Sequence, residues 1–441
     1  MKFRFTLFLL FFYCLSANSQ NGFHFDNNKK KITIPFKLIN NLVFLPITVN
    51  GVELNFLLDT GSSETVLFSL EDQGEVSFNE VQKIKLKGFG YDEYIDGLKS
   101  SKNKLSTHGF TDLNHLLYIV LDQNFNLSAQ VGIPVNGIIG YNFFRNYLVE
   151  IDYQRSKIFI HQENSKIRKK LENNYSSFAI NLESNKPYFN SKITIDNKEI
   201  ETKMLVDTGS SDALWLFQNR NNNIKIPNDH FDDYLGRGFS GDIFGKRARI
   251  EKLSLNKFQL QNPITSFPDT LAINKSLIVQ DREGSIGGEV FKRFDMVLDY
   301  PNNKMYLKKN INFDLPFNYN MSGIEIQHDG LQFVKETQEL NKPVFGSIKF
   351  DLADERIVNF NYKFELKPIF KISSIRKNSP AEECGLKKDD TVISINGQLI
   401  YRYSLQEINE LLKSEEGKWI FIQIERNKIK QKLKFQLRKL L

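Results

Sequence analysis

The tetrapeptide Asp-Thr-Gly-Ser occurs twice in this chain, as Asp59–Ser62 and, 148 residues later, as Asp207–Ser210. An apolar run precedes each copy, Phe56-Leu57-Leu58 in the first case and Met204-Leu205-Val206 in the second. A further Ser and an apolar stretch follow each copy. Two copies in the same strand-turn-strand context predict a duplicated unit, in which each copy contributes one carboxylate to a shared site.

The repeat extends beyond the tetrapeptide. Gly137-Ile138-Ile139-Gly140 follows the first copy and Gly284-Ser285-Ile286-Gly287 follows the second, at a separation of 147 residues. Asp152 and Asp299, further along, are also 147 residues apart. The nearly constant separation is typical of an internal repeat.

The approach to each tetrapeptide has the pattern of a β-hairpin. Asn50-Gly51 separates the β-rich runs Val43–Val49 and Val52–Leu58, which is a strong hairpin signal. The second copy has a corresponding turn at Asp196-Asn197, followed by the run Glu199–Val206. We therefore expect each tetrapeptide Asp at a strand-to-loop junction.

At these residues the chain resembles a single-chain aspartic protease made of two retropepsin-like halves, a design related to that of the pepsin family. In that family each half supplies Asp-Thr/Ser-Gly and a later apolar-apolar-Gly segment that packs beneath the catalytic loop. Ile138-Ile139-Gly140 fits this pattern, whereas Ser285 departs from it in the second half. The implied catalytic residues are Asp59, Thr60, Gly61, Ser62, Asp207, Thr208, Gly209 and Ser210.

The resemblance also implies the role of each residue type. The two Thr are expected to hydrogen-bond across to the opposite loop, and the two Ser to bond the outer carboxylate oxygens. Glycine suits a tight turn where a side chain would obstruct the approach of the loops. Two carboxylates held close together share one proton, so one can act as base and the other as acid on a water nucleophile. The alternative interpretation is ordinary turn chemistry at two strand ends.

Neither a cofactor nor a metal is expected, because the six His are scattered and no His-Glu-x-x-His occurs. Each half also has a Gly-rich patch, Gly88-Phe89-Gly90-Tyr91 and Gly236–Gly241. In the family this region is a hairpin that closes over substrate. The second patch spells G-x-G-x-x-G, but without the βαβ context it does not predict a nucleotide site.

The first 19 residues have the pattern of a secretory signal peptide. Lys2 and Arg4 precede the apolar run Phe5–Leu15, and small residues at Ala17 and Ser19 follow. We expect an exported protein, periplasmic or extracellular, with no stable membrane span after cleavage; an uncleaved anchor is the alternative. The net charge of +7 is spread along the chain without a Lys/Arg block, so no nucleic-acid partner is expected.

The chain changes character from about Phe317. Ser379-Pro380-Ala381 and Gly385-Leu386, followed by a strand ending in Asn396-Gly397, resemble a PDZ domain of the bacterial type. Ser404 to Lys413 has the pattern of the groove-lining helix, with a capping box. The resemblance implies that extended peptides, including free C-termini, bind at Met321, Ser322, Gly323, Ile324, Ile326 and Leu405. A generic small α/β domain is the alternative.

The expected fold is mainly β: two tandem retropepsin-like β-barrel lobes forming one active-site cleft, plus a small α+β PDZ domain. The expected segments are a signal peptide at 1–19, lobes at 27–162 and 175–310, and a PDZ domain at 315–441 with an insertion of unknown role near 338–367. The expected function is an exported aspartic endopeptidase acting on peptide or protein substrates, which the PDZ domain helps to recruit. Two alternatives stay open: a non-catalytic peptide-binding protein and an enzyme with a narrow self-processing task.

Overall fold

A computed structural model describes most of the chain. The described residues are 22–27, 29–70, 75–86, 94–121, 126–218, 224–238, 241–270, 278–339 and 360–441, with backbone alone at 335–339 and 360–363. The predicted signal peptide, the Gly88–Tyr91 patch and residues 340–359 of the predicted insertion lie outside them. The structure is mainly β with a C-terminal PDZ-like region.

Contacts divide the chain into two units. The first contains the described residues up to Leu127, Ile133–Tyr319 and Leu440–Leu441; the second contains Ser128–Gly132 and Asn320–Lys439. No described helix is long and apolar enough to cross a membrane.

The first repeat supplies the strands before residue 162. These are β1 (His24–Phe25), β2 (Lys31–Pro35), β3 (Lys37–Ile39), β4 (Leu42–Val49), β5 (Val52–Leu58), β6 (Val66–Leu67), β7 (Val81–Leu86), β8 (Ile95–Thr107), β9 (Phe110–Val120), β10 (Gly137–Ile139), β11 (Leu148–Asp152) and β12 (Lys157–His161). The same stretch contains helices α1 (Leu127–Val131) and α2 (Tyr141–Phe144). The predicted hairpin at Asn50-Gly51 is confirmed, with both turn residues at positive φ.

Helix α3 (Ser165–Asn174) follows and lies between the strands of the two repeats along the chain. The second repeat then supplies β13 (Ser176–Ala179), β14 (Asn181–Glu183), β15 (Lys186–Ile195), β16 (Lys198–Val206), β17 (Leu214–Leu216), β18 (His230–Gly238), β19 (Gly241–Arg249), β20 (Lys252–Leu255), β21 (Phe258–Gln261), β22 (Ile264–Pro268), β23 (Arg282–Ile286), β24 (Phe294–Asp299) and β25 (Lys304–Lys309). Helix α4 (Gly288–Phe291) lies between β23 and β24.

The two repeats share one strand pattern. In the first, β10 pairs parallel with β5 and β6 pairs parallel with β9. In the second, β23 pairs parallel with β16 and β17 pairs parallel with β22. A third sheet joins the repeats in the order β13-β25-β24-β11-β12-β2, because β11 and β24 pair antiparallel across them. The duplication predicted from the sequence is therefore also a duplication of topology.

Packing follows the alternation of apolar residues. The strands before the two tetrapeptides end in fully buried runs, since Phe56, Leu58, Met204 and Val206 have no exposed surface. Burying such side chains contributes about 1.5–3 kcal/mol each. These strands consequently hold the residues that follow them in fixed positions.

The second unit forms a separate sheet. It contains β26 (Ile324–Glu339), β27 (Phe360–Ile375), β28 (Thr391–Ile395), β29 (Gln398–Leu399), β30 (Trp419–Arg426) and β31 (Ile429–Gln436), with helices α5 (Pro380–Glu383) and α6 (Leu405–Leu412). The strand order is β26-β27-β28-β30-β31, with β29 beside β28. Arg426 and Asp390 make two hydrogen bonds of 2.6 Å that tie β30 to the turn before β28.

Candidate active site

The two tetrapeptides occupy equivalent loops. Asp59 follows the last residue of β5, and its backbone N–H donates to the Ile139 carbonyl at the end of β10 (2.9 Å). Asp207 follows β16, and its N–H donates to the Ile286 carbonyl at the end of β23 (3.0 Å). The predicted packing of the apolar-Gly segments against the loops is therefore confirmed, including the segment that carries Ser285.

The loops approach each other closely at their two glycines. A Cβ added to Gly61 would lie 3.0 Å from one carboxylate oxygen of Asp59 and 3.0 Å from one of Asp207. A Cβ added to Gly209 would lie 2.3 Å from Cγ of Asp59. The two carboxylates, one from each repeat, thus meet at a single point, as the duplication predicts.

Reciprocal hydrogen bonds join the loops beneath the carboxylates. The Thr60 hydroxyl donates to the Val206 carbonyl (2.6 Å), and the Thr208 hydroxyl donates to the Leu58 carbonyl (2.9 Å). Each Thr hydroxyl oxygen also accepts the backbone N–H of the other Thr, at 3.1 and 3.0 Å. Both Thr are buried, so the predicted cross-loop bonding is confirmed.

Backbone donors surround the carboxylates. The Gly61 N–H donates to Asp59 at 2.7 Å, and the Gly209 N–H is hydrogen-bonded to the same carboxylate. Asp207 accepts the N–H groups of Gly209 and Ser210. Such bonds favour the ionised form, because a carboxylate is a stronger acceptor than a carboxylic acid.

Burial and mutual repulsion act in the opposite direction. Removal from water and the nearby charge of Asp207 raise the pKa of Asp59 to about 7. Burial also raises the pKa of Asp207, although the cations of Arg282 and Lys186 oppose this change. A pair of this kind retains one proton at a pH where isolated Asp residues are ionised.

The expectation for Ser62 is wrong. Its hydroxyl donates to the Glu64 carbonyl (2.9 Å) and not to an outer carboxylate oxygen. Ser210 reaches the carboxylate of Asp207 through its backbone N–H. A Ser hydroxyl commonly forms a hydrogen bond with a backbone group two residues away. At Ser62 the hydroxyl donates to such a nearby carbonyl and is therefore not available to the carboxylate.

A charged network connects the second loop to the hairpin β18–β19. The Asp212 carboxylate pairs with Arg247 on β19 (2.9 Å), and Arg247 also pairs with Asp233 on β18 (2.6 Å). Asp212 further accepts bonds from Ser266 and Trp215. Although burial raises the pKa of Asp212, Arg247 and these hydrogen bonds outweigh it and lower the pKa.

The same hairpin carries the second Gly-rich patch. Gly236 and Gly241 both have positive φ, at 138° and 134°, in the two strands of this hairpin. Residues 239 and 240 lie outside the described part of the chain. The strands pair antiparallel, so the G-x-G-x-x-G sequence lies in a β-hairpin and not at the start of a helix.

The predicted peptide groove of the second unit has its expected elements. Helix α6 begins after Ser404, whose side chain forms the predicted capping box with Glu407. Within the described residues β26 pairs only with β27, so β26 is an edge strand. Ile324 and Ile326 on β26, and Leu405 on α6, are buried. The structure thus supplies an edge strand and a helix, the two kinds of element between which an extended peptide binds in a PDZ groove.

Asn320 occupies the donors of the predicted carboxylate loop. Its side-chain oxygen accepts the N–H groups of Ser322 (3.0 Å) and Gly323 (3.3 Å). The Met321 N–H donates to the Leu412 carbonyl at the end of α6 (3.0 Å). A peptide carboxylate would have to displace the Asn320 side chain, and the binding role of this loop stays a prediction.

Two cations near the Asp pair were not predicted from the sequence. Lys186 interacts electrostatically with both Asp59 and Asp207, and Arg282 interacts with Asp207. A comparison of the repeats along their strands would have found them, because Lys186 lies at the place of Leu42 in the first repeat and Arg282 at the place of Val135. No group of three or more potential ligands for a metal ion occurs among the described residues.

Comparison with known proteins bears on the second unit. Residues 371–426 match the PDZ domain family. This match covers β28 to β30 and helix α6, and it lies inside the segment predicted to be a PDZ domain. No curated protein matches the chain. The C-terminal region thus contains a PDZ domain, a module suited to binding peptides.

Proposed function

We propose that this chain is an exported aspartic endopeptidase whose PDZ domain recruits peptide or protein substrates. One observation carries the proposal: two Asp-Thr-Gly-Ser loops, one from each repeat, meet with their carboxylates adjacent and their Thr residues bonded reciprocally. The two repeats then correspond to two retropepsin-like lobes. The export part rests on the signal-peptide pattern of the first 19 residues.

The electrostatics support a division of roles within the pair. Because Arg282 and Lys186 favour the ionised form of Asp207, the shared proton belongs mainly to Asp59. Asp207 then removes a proton from a water molecule, whose oxygen bonds to the scissile carbonyl carbon. Asp59 gives its proton to the carbonyl oxygen, which forms a tetrahedral diol. Asp207 then gives its new proton to the leaving nitrogen, and as the C–N bond breaks one diol hydroxyl returns its proton to Asp59, so the product is a carboxylic acid and the pair again holds one proton.

The raised pKa values fit this chemistry. A general acid must hold its proton at the working pH and still release it in the reaction. An Asp with a pKa near 4 would be ionised at pH 6, whereas the pKa of Asp59 is about 7. Buried structural carboxylates can also have raised pKa values, and the adjacency of two equivalent loops distinguishes this pair from them.

Cleavage of a mixed peptide library, followed by mass spectrometry, tests the proposal. We expect the wild-type protein to hydrolyse internal peptide bonds, with or without a chelator. Asp59→Asn and Asp207→Asn should each abolish cleavage while the protein remains folded. Asp196→Asn, at an exposed turn of the second repeat, is the matched control and should retain activity.

A non-catalytic peptide-binding protein is the second candidate, and the PDZ match is the observation that favours it. The same library separates the two functions. Peptides that are bound but recovered intact from the wild-type protein would support binding alone. Cleavage that depends on both Asp residues would support the endopeptidase.

A further inference from the structure

Lys186 is placed beside the Asp pair by a tight hairpin. It is the first residue of β15, directly after the turn Ser184-Asn185, in which both residues have positive φ. The hydroxyl of Ser63, four residues after Asp59, donates to the Ser184 carbonyl (3.0 Å). The turn is therefore fixed against the catalytic loop of the other repeat.

Strand register shows what the first repeat has at this place. The residue two positions before the tetrapeptide Asp faces Phe44 in the first repeat and Tyr188 in the second. Leu42 and Lys186, each two residues earlier, are consequently equivalent. Leu42 is only 7% exposed. The second repeat thus has a cation where the first has a buried aliphatic side chain.

A second substitution of the same kind lies nearby. Asn136 and Glu283 each accept a hydrogen bond from the backbone N–H four residues before the tetrapeptide Asp, at 2.8 and 2.6 Å. The residues before them, Val135 and Arg282, are therefore also equivalent. Both are buried, at 0% and 4% exposure. Both cations that act on the Asp pair among the described residues, Lys186 and Arg282, thus belong to the second repeat.

Lys186 makes no close ion pair among the described residues, and its attraction is to the Asp pair, which carries one negative charge while it holds one proton, against the two positive charges of Lys186 and Arg282. Glu183, opposite it in the hairpin, pairs with Lys203 instead (2.6 Å). Lys186 is half-buried, and desolvation together with repulsion from Arg282 lowers its pKa, against the attraction of the two Asp. A partly desolvated ammonium group of this kind favours the binding of an anion.

We infer that Lys186, together with Arg282, forms an anion-binding subsite on the second-repeat side of the cleft, and that this subsite binds a carboxylate of the substrate. The inference rests on the proposed function and names its substrate class: peptides that place a carboxylate beside the scissile bond. The carboxylate comes either from an Asp or Glu side chain or from the C-terminus of the substrate. In both cases it replaces the water around the Lys186 ammonium group with a charge-assisted hydrogen bond.

Matched peptides test the inference. Glu and Gln are compared at each position next to the cleaved bond, and a free C-terminal acid is compared with its amide. For the wild-type protein we expect kcat/KM to favour the charged member of one pair by roughly 10-fold to 100-fold. The pair that shows the preference identifies the source of the carboxylate.

Substitutions assign the preference to Lys186. In Lys186→Leu, which introduces the residue of the first repeat, the ratio of kcat/KM between the charged and the neutral peptide should fall to near one. In Lys186→Arg, which keeps the positive charge, this ratio should persist. Fluorescence anisotropy of the same peptides binding to Asp59→Asn, which is expected to be inactive, should show the same preference in Kd. Circular dichroism checks that each variant is folded.

The possible failures differ in what they overturn. If the wild-type protein cleaves both members of every pair equally, or if Lys186→Leu keeps the preference, the subsite inference is overturned and the proposed function stands. An equal loss on both members, with a displaced pH profile, would mean that Lys186 only tunes the Asp pair, and this also overturns the inference. If no peptide is cleaved at all, the proposed function fails and the inference fails with it.

Discussion

Replacing Thr60 by Val should destabilise the first unit because the side chain bridges the two repeats. The substitution keeps the shape of the side chain and removes one hydroxyl. That hydroxyl donates to the Val206 carbonyl (2.6 Å) and accepts the Thr208 N–H (3.0 Å). Its loss leaves one acceptor and one donor of the second repeat without their partner in a buried place.

The magnitude follows from these two groups. A buried polar group that loses its partner costs about 1–3 kcal/mol. Two such groups predict a loss of about 2–6 kcal/mol in the free energy of unfolding, a large part of the stability of an ordinary domain. Thr60→Ser keeps the hydroxyl and should lose much less.

Thr265→Val is a matched control. Thr265 is fully buried in the second repeat, and its hydroxyl makes one long bond to the nearby Pro263 carbonyl (3.4 Å). We expect a loss of about 1 kcal/mol or less for this variant. The difference between Thr60→Val and Thr265→Val isolates the bonding across the repeats.

Tryptophan fluorescence during urea unfolding is a suitable assay. The chain has two Trp, Trp215 in the first unit and Trp419 in the second. A Trp419→Phe background leaves Trp215 as the single reporter, so the transition of the first unit is observed alone. If Thr60→Val and Thr265→Val differ by less than about 0.5 kcal/mol, the cross-loop bonds do not hold the repeats together and the reasoning is refuted.

Three further predictions concern protonation, the buried ion network and the PDZ helix. The pKa of Asp59 is about 7 in the folded protein and 3.8 in the unfolded chain, so ionisation of Asp59 opposes folding as the pH rises from about 4 to 7. The free energy of unfolding of Asp59→Asn should therefore exceed that of the wild type by on the order of 4 kcal/mol at pH 8, with no such gain at pH 4. Urea unfolding curves that are the same for both proteins at both pH values would contradict this. Arg247→Met removes the cation between two largely buried carboxylates and should cost about 3–5 kcal/mol in thermal unfolding, whereas the control Arg155→Met, at a side chain that is 64% exposed, should change stability by about 1 kcal/mol or less. Ser404→Ala breaks the capping box and should destabilise α6 by about 1 kcal/mol, seen as faster hydrogen exchange at its amides; unchanged exchange would be the contrary result.

The sequence alone predicted the structure correctly where it depends on local pattern or on the internal repeat. The hairpin at Asn50-Gly51 has turn residues that adopt positive φ readily, and the structure contains it within a residue of the predicted strands. The capping box of α6 is equally local, since it joins two residues three positions apart. The meeting of the Asp59 and Asp207 loops is a long-range contact, and it followed from the duplication together with the family resemblance.

Hydrogen bonds with competing local acceptors were less predictable. The family pattern directs Ser62 to the carboxylate, but the Glu64 carbonyl is closer along the chain and captures its hydroxyl. The loop 321–323 has the same difficulty, because Asn320 precedes it and its side-chain oxygen accepts the N–H groups predicted to bind a carboxylate. A motif gives the residue types, whereas the bonds they make depend on which partner lies nearest.

The position of Lys186 was hidden by a change in hairpin length, whereas Arg282 lies 147 residues after Val135, the separation already found for the apolar-Gly segments. β5 spans Val52–Leu58 and β16 spans Lys198–Val206, so the second hairpin is longer. An offset of 148 residues, which aligns the tetrapeptides, pairs Leu42 with Asn190, and only strand register pairs it with Lys186. A duplicated fold can thus keep its two Asp-Thr-Gly-Ser loops symmetric while its flanking strands diverge. Because a peptide chain has a direction and its two ends differ, a cleft with one positive side can distinguish them, and a symmetric cleft cannot.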